Sequence, residues 1–338
     1  MNDTNYCRYC KTNTLDFFSE TQDYHYNNEG KWKTYRCSTC KHIFELPVMS
    51  DAELSTFYPT DYYSFKIEQS SYEGTNILKS PLLTIQKHFL KCFKKYTHLN
   101  VSGNYFLALL YKLLRAKPFD YKDPEFIKNG TILDYGCGAG LYVSYLKYLG
   151  WKSEGIEISK QAAENAQQNG LNVRCGSIEQ LDGYADHYDV IYSCHALEHV
   201  SRIDDLLKKM YESLKPGGYL VFDVPNGNAA SIDTYKDFYF YFGLPVHINL
   251  FTGQSASIAL ANAGFVNITY KTYSIWSTQI ASYYTRKKNK HSQTKVNLGT
   301  HSKTEQYIGY FLTFIPYLRS LIHGKGDNLV VIAKKQQY

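Results

Sequence analysis

Across residues 131–334 the apolar positions alternate between two periods. Short β-branched runs are separated by stretches in which apolar side chains recur every three or four residues. The runs predict strands at residues 131–133, 153–158, 171–175, 188–193, 219–224, 265–273 and 328–334, with helices at 159–169, 201–214 and 253–262 between them. Such alternation calls for an α/β, doubly wound sheet, mostly parallel and covered on both faces. Ligands in these sheets sit beyond the carboxyl ends of the strands. The first strand ends in TILDYGCGAG, where Gly136, Gly138 and Gly140 stand at alternate positions before a helical pattern resumes. A turn of this kind needs positive φ and lets a ligand approach bare backbone, with the N–H groups of the new helix facing outward.

The flanks carry other patterns. In a bridge over residues 66–125, Leu82, Leu83, Phe89, Leu90 and Phe93 recur at helical spacing while Lys87, Lys91, Lys94 and Lys95 take other positions, and residues 105–115 form a second, nearly continuous apolar stretch. Two such helices pack on the sheet by default, and the basic face also suits an anionic lipid surface. Residues 275–327 intervene before the last strand. They pass from aromatics and Ile280 through the basic run RKKNKHSQTK (286–295) to an aromatic apolar helix at 305–322. An insertion that long is expected to be functional, as a lid or a contact surface. Its cations and aromatics suit a polyanionic or lipid-linked ligand; the plainer alternative is a helical pair packed against the bridge with a solvated basic tip.

Charge is modest, +6 from 37 basic and 31 acidic residues, so an anionic partner fits but nucleic acid is not required. The most apolar stretch, 308–322, is broken by Pro316 and Arg319 and is too short to span a bilayer. The opening MNDTNYCRYC shows no secretory leader, and a cytoplasmic location is expected, with peripheral membrane contact as an extension. Eight cysteines are present; Cys92, Cys137, Cys175 and Cys194 are scattered, and the rest form CRYC (Cys7, Cys10) and CSTC (Cys37, Cys40). Two such knuckles build the closed tetrahedral thiolate cage of a structural Zn²⁺. The spacer, with an Asn-Asn-Glu-Gly turn at 27–30, reads as a hairpin. A redox role is the weaker reading, because redox C-x-x-C motifs are usually single and open a helix.

Glu157 ends the second strand about 20 residues after the glycines, where nucleotide-binding α/β units keep the acid that grips a ribose. A dinucleotide fingerprint would need glycine at 141, which is Leu141, so a nicotinamide ligand recedes. The spacing resembles the first motif of class I S-adenosylmethionine-dependent methyltransferases, and EGIEIS is similar to their second. YDVIYSCHALEHV and LKPGGYLVFDVPN resemble the fourth motif and the fifth strand of the same family, over residues 130–270. The segment from CRYC through YRCSTCKHIFELPVMSDAELSTFYPTDYY resembles the zinc-ribbon front end of methyltransferases of glycan and sugar biosynthesis.

The resemblance implies a Rossmann-like methyltransferase domain over 126–338 with an antiparallel last strand, behind a zinc ribbon at 1–65 that either shapes or covers the substrate side or is a zinc-stapled appendage without substrate contact. It implies that Glu157 holds the ribose diol with Ile158 beside it, and that residues 136–140 pass beneath the methionine part. Asp134 would order the amino group or a water, Ser177 and Ile178 would meet the adenine, and Ser193 would line the site. An acidic residue often stands near position 177 in the family; Ser177 leaves the adenine amino contact to backbone or water. The implied acceptor is a sugar, nucleotide-linked or part of a lipid-linked glycan, and the implied reaction O-methylation.

A hydroxyl acceptor benefits from a general base. His195 and His199 follow the fourth strand and His247 follows the fifth; His195 is the first candidate, His247 the second and His199 the third. Each could instead be a hydrogen-bonded structural histidine. His195, Glu198 and His199 also spell H-x-x-E-H, a zinc-protease signature that needs one long helix, whereas here it starts at a strand end. A nucleic-acid-binding or RNA-modifying methyltransferase that uses the zinc ribbon as its binding module, and an inactive donor-binding scaffold, are the remaining alternatives.

Overall fold

The computed structural model describes residues 6–24, 28–58, 81–114, 124–289 and 303–337. Expectations for residues 59–80, 115–123 and 290–302, which include most of the basic run, lie outside the described residues, as does Asn27 of the hairpin turn.

Strands β1 (Leu15–Thr21) and β2 (Trp32–Cys37) form the hairpin read from the spacer, and β3 (Ile43–Glu45) pairs antiparallel with β2. Helix α1 (Asp51–Ser55) follows; Ser50 and Glu53 close a capping box that satisfies backbone donors at both ends of the first turn. Next come α2 (Pro81–Phe93) and α3 (Tyr105–Leu114). Phe89, Leu90, Tyr96 and Tyr111 from this region pack with Ile132, Leu149, Trp151 and Val190, so the bridge covers one face of the main sheet. Lys91 donates to the Leu99 and Val101 carbonyls, which spends its charge inside the bridge.

The main unit runs β4 (Thr131–Tyr135), α4 (Leu141–Tyr148), β5 (Lys152–Glu157), α5 (Lys160–Gln168), β6 (Val173–Cys175), β7 (Tyr188–Cys194), α6 (Ile203–Ser213) and β8 (Leu214–Pro225). KPGG lies inside β8 rather than ahead of it: Tyr188 pairs with Leu214 and Val190 with Tyr219, so the expected turn is an irregularity in the ladder with Gly217 at φ 78°. After α7 (Ala230–Tyr235), β9 (Asn249–Leu250) leaves this unit and pairs with β3. Then come α8 (Gly253–Asn262), β10 (Val266–Tyr273), α9 (Trp276–Asn289), α10 (Lys303–Leu312), α11 (Phe314–Ile322) and β11 (Asn328–Lys334).

Seven strands lie in the order β10-β11-β8-β7-β4-β5-β6, parallel except for β11, which is antiparallel to both its neighbours. The α/β doubly wound fold with an antiparallel last strand is therefore present. The expected helix at 305–322 is interrupted at Thr313, whose hydroxyl donates to the Gly309 carbonyl and accepts from the Trp276 indole. α7, α9 and β9 have no counterpart in the sequence reading. The cysteine hairpin shares the main core: Cys7, Tyr9, Cys37 and Cys40 pack with Leu197, Ile203 and Phe251. No helix among the described residues is long and apolar enough to cross a membrane.

Candidate functional site

Registers bring the ends of β4, β5 and β7 to one line. Tyr135 faces Ile156 on one side and Ser193 on the other, so Glu157 emerges beside the glycine turn. Gly136 sits at φ 76°, and a Cβ there would lie 2.3 Å from the Ala196 Cβ; the turn runs flush against the loop after β7 because it has no side chain. Glu157 is 7% exposed. Its Oε2 accepts the Gly138 N–H and its Oε1 accepts the Ser159 N–H, each at 2.8 Å. Burial raises its pKa, while the backbone N–H donors pull the other way. The carboxylate thus clamps the turn to the start of α5 and keeps lone pairs for a diol.

Ile158, next in the chain, is 63% exposed, an apolar side chain left open at the crevice edge. Ser177 meets the Tyr135 hydroxyl through its side chain at 3.2 Å, and its N–H donates to Glu179. Ile178 is buried at the start of a short 3₁₀ turn, and Asp134 is buried within β4. Ser193 is turned inward: its hydroxyl donates to the Tyr135 carbonyl and stitches β7 to β4, so that hydroxyl is spent within the sheet. A buried carboxylate across a glycine-rich turn, with an open apolar residue beside it, fits an adenosine bearing a charged tail.

The histidines come together on the other side of the crevice. His195 adopts φ 52°, a conformation a non-glycine residue holds only when its surroundings enforce it, and its N–H donates to the Asp223 carbonyl at 2.8 Å. Its Nδ1 lies 3.2 Å from Glu198 Oε1. Carboxylates only accept, so Nδ1 carries a proton. Glu198 is fully buried. Burial alone would raise its pKa, but the hydrogen bond from His195 and the fields of three imidazoles hold it down at about 2. His247 Nδ1 donates to the Tyr241 carbonyl at 2.9 Å, and burial lowers its pKa to about 3, which leaves a neutral but feeble base. His199 donates from Nδ1 to the Val246 carbonyl at 2.9 Å, with the Tyr58 hydroxyl 2.8 Å from the same nitrogen, and burial lowers its pKa too.

His195, with 28% of its side chain exposed, is the most open member that can take a proton. Leu197–His199 is a single 3₁₀ turn, so the one-helix protease arrangement is absent. Glu198, His199 and His247 nevertheless set one ligand atom each within 4.8 Å of one another, a donor set that could hold a divalent cation. Sequence reasoning missed Tyr58, Tyr241, which lies 5.4 Å from His195 ring to ring, and the orienting part of Glu198. Only Glu198 had a signal, its spacing between two histidines.

The four thiols of Cys7, Cys10, Cys37 and Cys40 lie within 4.8 Å of one another. Lys11 and Lys41, each following the second cysteine of its pair, take φ 59° and 60°, and their N–H groups donate back to the carbonyls of Cys7 and Cys37. The Cys40 N–H points at Cys37 Sγ, 3.4 Å away. Two matching knuckles with converging sulfurs fit Zn²⁺ in a closed site.

Residues 105–270 match the family model described as a methyltransferase domain. The ubiquinone biosynthesis O-methyltransferase of Coxiella burnetii (strain RSA 493 / Nine Mile phase I) is 34% identical over 108 residues, 30% of this chain and 46% of that protein. That of Roseobacter denitrificans is 33% identical over 118 residues, 33% of this chain and 48% of that protein. The chain thus spans about half the length of the curated relatives it matches. A solved SAM-dependent methyltransferase from Archaeoglobus fulgidus is 21% identical, covers 69% of this chain and 100% of its own, and overlays with a TM-score of 0.46. On the family match and its own strand order, the chain carries a class I methyltransferase domain.

Proposed function

We propose that the protein transfers a methyl group from S-adenosylmethionine to a hydroxyl of a sugar, either nucleotide-linked or borne by a lipid-linked glycan. The observation that carries the donor assignment is the clamp from Glu157 to Gly138, in a domain matched to methyltransferases. When bound, the donor supplies a methyl group on a positively charged sulfur. Glu157 accepts hydrogen bonds from the ribose, residues 136–140 give bare backbone to the methionine part, and Ile158 and Ile178 flank the adenine. His195 Nε2 takes the proton of the acceptor hydroxyl, and Glu198 stabilises the imidazolium that results.

Two features support an acceptor of the kind proposed. The ribbon segment, which lies outside the matched residues 105–270, reaches the histidines through Tyr58, and Asp51 accepts from the Ser201 hydroxyl at 2.6 Å. The acceptor side is therefore partly built by the portion of the chain that resembles sugar-modifying enzymes. Helices α10 and α11 also expose Tyr307, Phe311, Phe314, Ile315, Leu321 and Ile322, apolar side chains that suit a lipid-borne substrate. Zn²⁺ in the cysteine cage would hold the ribbon in place without taking part in chemistry.

Calorimetric titration with S-adenosylmethionine, followed by turnover on nucleotide sugars, lipid-linked sugars and ubiquinone-precursor phenols, tests the reading. Donor binding with methylation of a sugar hydroxyl is expected. No donor binding overturns the whole; methylation of the phenols alone replaces the acceptor.

A further inference from the structure

A cavity of about 390 Å³ opens between the cysteine hairpin and the C-terminal end of β8, lined by Arg36, Lys41, Asn228, Asp233 and Lys325 with the backbone of Gly227. Three cations face one carboxylate there, a net charge of +2. The cations come from two distant parts of the chain, β2 with the second knuckle and the turn after α11, while the loop after β8 supplies Gly227 and Asn228 between them. Among the described residues none of the three cations has a carboxylate partner. Arg36 is held in place by Phe18 beneath its guanidinium and by one hydrogen bond from Nη2 to Asn228, at 3.3 Å. Its Nε is buried and has no acceptor among the described residues. Lys325 is exposed, and its backbone is pinned at both ends: its N–H donates to Ser320 and its carbonyl accepts the Ala230 N–H.

Position gives this pocket a use. Its floor starts at Gly227, four residues past Asp223, whose carbonyl fixes His195. Its rim, Lys325, stands three residues past Ile322, the end of the exposed apolar surface of α10 and α11. A ligand with an apolar tail on those helices and a sugar at His195 would carry its linking group across this cavity. We propose that Arg36, Lys41 and Lys325 form the subsite for the phosphate or diphosphate ester that links the acceptor sugar to its carrier. A planar guanidinium supplies paired N–H donors to phosphate oxygens, and two ammonium groups supply charge without fixed geometry. The exposed helices favour a lipid carrier; a nucleotide carrier offers the same diphosphate. This proposal rests on the acceptor reading above.

Calorimetric titration of the full chain with inorganic pyrophosphate, then with a nucleoside diphosphate sugar, tests the site without any turnover. Sedimentation with phosphatidylcholine vesicles, with and without a polyisoprenyl phosphate, tests the lipid source. Lys325→Gln is exposed and removes one charge without touching the core; Arg36→Gln with Lys325→Gln removes two. The double variant should lose about tenfold or more in pyrophosphate affinity, as expected for charge-assisted hydrogen bonds, and the single variant should lose less. Retention only on vesicles that carry the polyisoprenyl phosphate supports the site and names the lipid source; binding of the nucleotide sugar without such retention supports it and names the soluble one. Wild-type protein that ignores every one of these phosphate esters, or variants that bind them equally well, overturns the site. Donor affinity is measured on the same samples: if S-adenosylmethionine fails to bind while the pyrophosphate difference persists, the methyl-transfer reading falls and the anion site stands.

Discussion

The two walls proposed above, one for the donor and one for the acceptor, each bury a glutamate, and the two are held in opposite ways. Glu157 belongs to the donor wall and is satisfied by backbone N–H groups within 20 residues of itself, so its surroundings are set by one strand, one turn and one helix start. Glu198 belongs to the acceptor wall and is held by imidazoles, from His195 and His199 close by and from His247 almost fifty residues on. Burial raises the first carboxylate, whereas the imidazoles overrule burial at the second and pull it to about 2. A wall made of backbone can be shared by any enzyme using the same donor. A wall made of side chains from separate segments can be rebuilt for each acceptor.

The comparison breaks most sharply at Glu198. Glu198→Gln keeps the shape of the side chain but removes the charge that orients His195 and supports its protonated form. Turnover should fall about 10²-fold or more, the range for loss of acid–base assistance, while donor affinity by calorimetry stays near wild type. A variant with an ordinary rate would mean that the acceptor wall positions substrate and moves no proton. The same cluster sets an acid limit. Glu198, at about 2 in the fold against 4.5 when free, contributes stability above pH 4.5 that is lost as pH falls through that interval. His247, neutral down to about 3 against 6.5 when free, adds a loss that begins near pH 6.5. Urea midpoints should therefore decline from pH 7 toward pH 4, and His247→Asn should shrink the upper part of that decline, with His199 keeping its own share.

On the donor wall, Glu157→Ala should weaken S-adenosylmethionine by about 1–3 kcal/mol, the worth of hydrogen bonds to a charged group. The effect on kcat at saturating donor should be small. Unchanged donor affinity would move the ribose contact to another residue and leave Glu157 as a clamp on the turn alone.

The same contrast explains what the sequence disclosed. The turn and carboxylate of the proposed donor wall were legible because they are local: glycines at 136, 138 and 140 and an acid about 20 residues on are consequences of one strand–turn–helix–strand unit. The cysteine knuckles were legible for the same reason, since C-x-x-C fixes two sulfurs by itself. On the acceptor wall the histidines could be named, because they follow strand ends, but their partners could not. Tyr58 and Tyr241 lie in irregular segments that follow β3 and precede β9, and β9, which pairs with β3, is two residues long, too short for any periodicity. Ser193 shows the converse: its place at the end of β7 was readable, but not that its hydroxyl turns to the Tyr135 carbonyl. The single apolar helix expected at 305–322 is interrupted at Thr313, three residues before Pro316, which has no N–H to give the Leu312 carbonyl where the first helix ends.

The mildest effect is expected where the ribbon touches the acceptor wall. Tyr58→Phe deletes one hydroxyl, 2.8 Å from His199 Nδ1, and leaves the ring in place 5.9 Å from the imidazole. His199 Nδ1 keeps the Val246 carbonyl, so its tautomer and the Glu198 charge survive. A loss of about 0.5–1.5 kcal/mol follows from one neutral hydrogen bond, seen as a few-fold change in turnover with donor affinity untouched. A chelator that strips the Zn²⁺ proposed for the cysteine cage should reproduce that direction and exceed it, because the whole segment that carries Tyr58 would then loosen. If chelation lowered donor affinity as much as turnover, the ribbon would be supporting both walls, and the division between a shared donor side and a rebuilt acceptor side would fail.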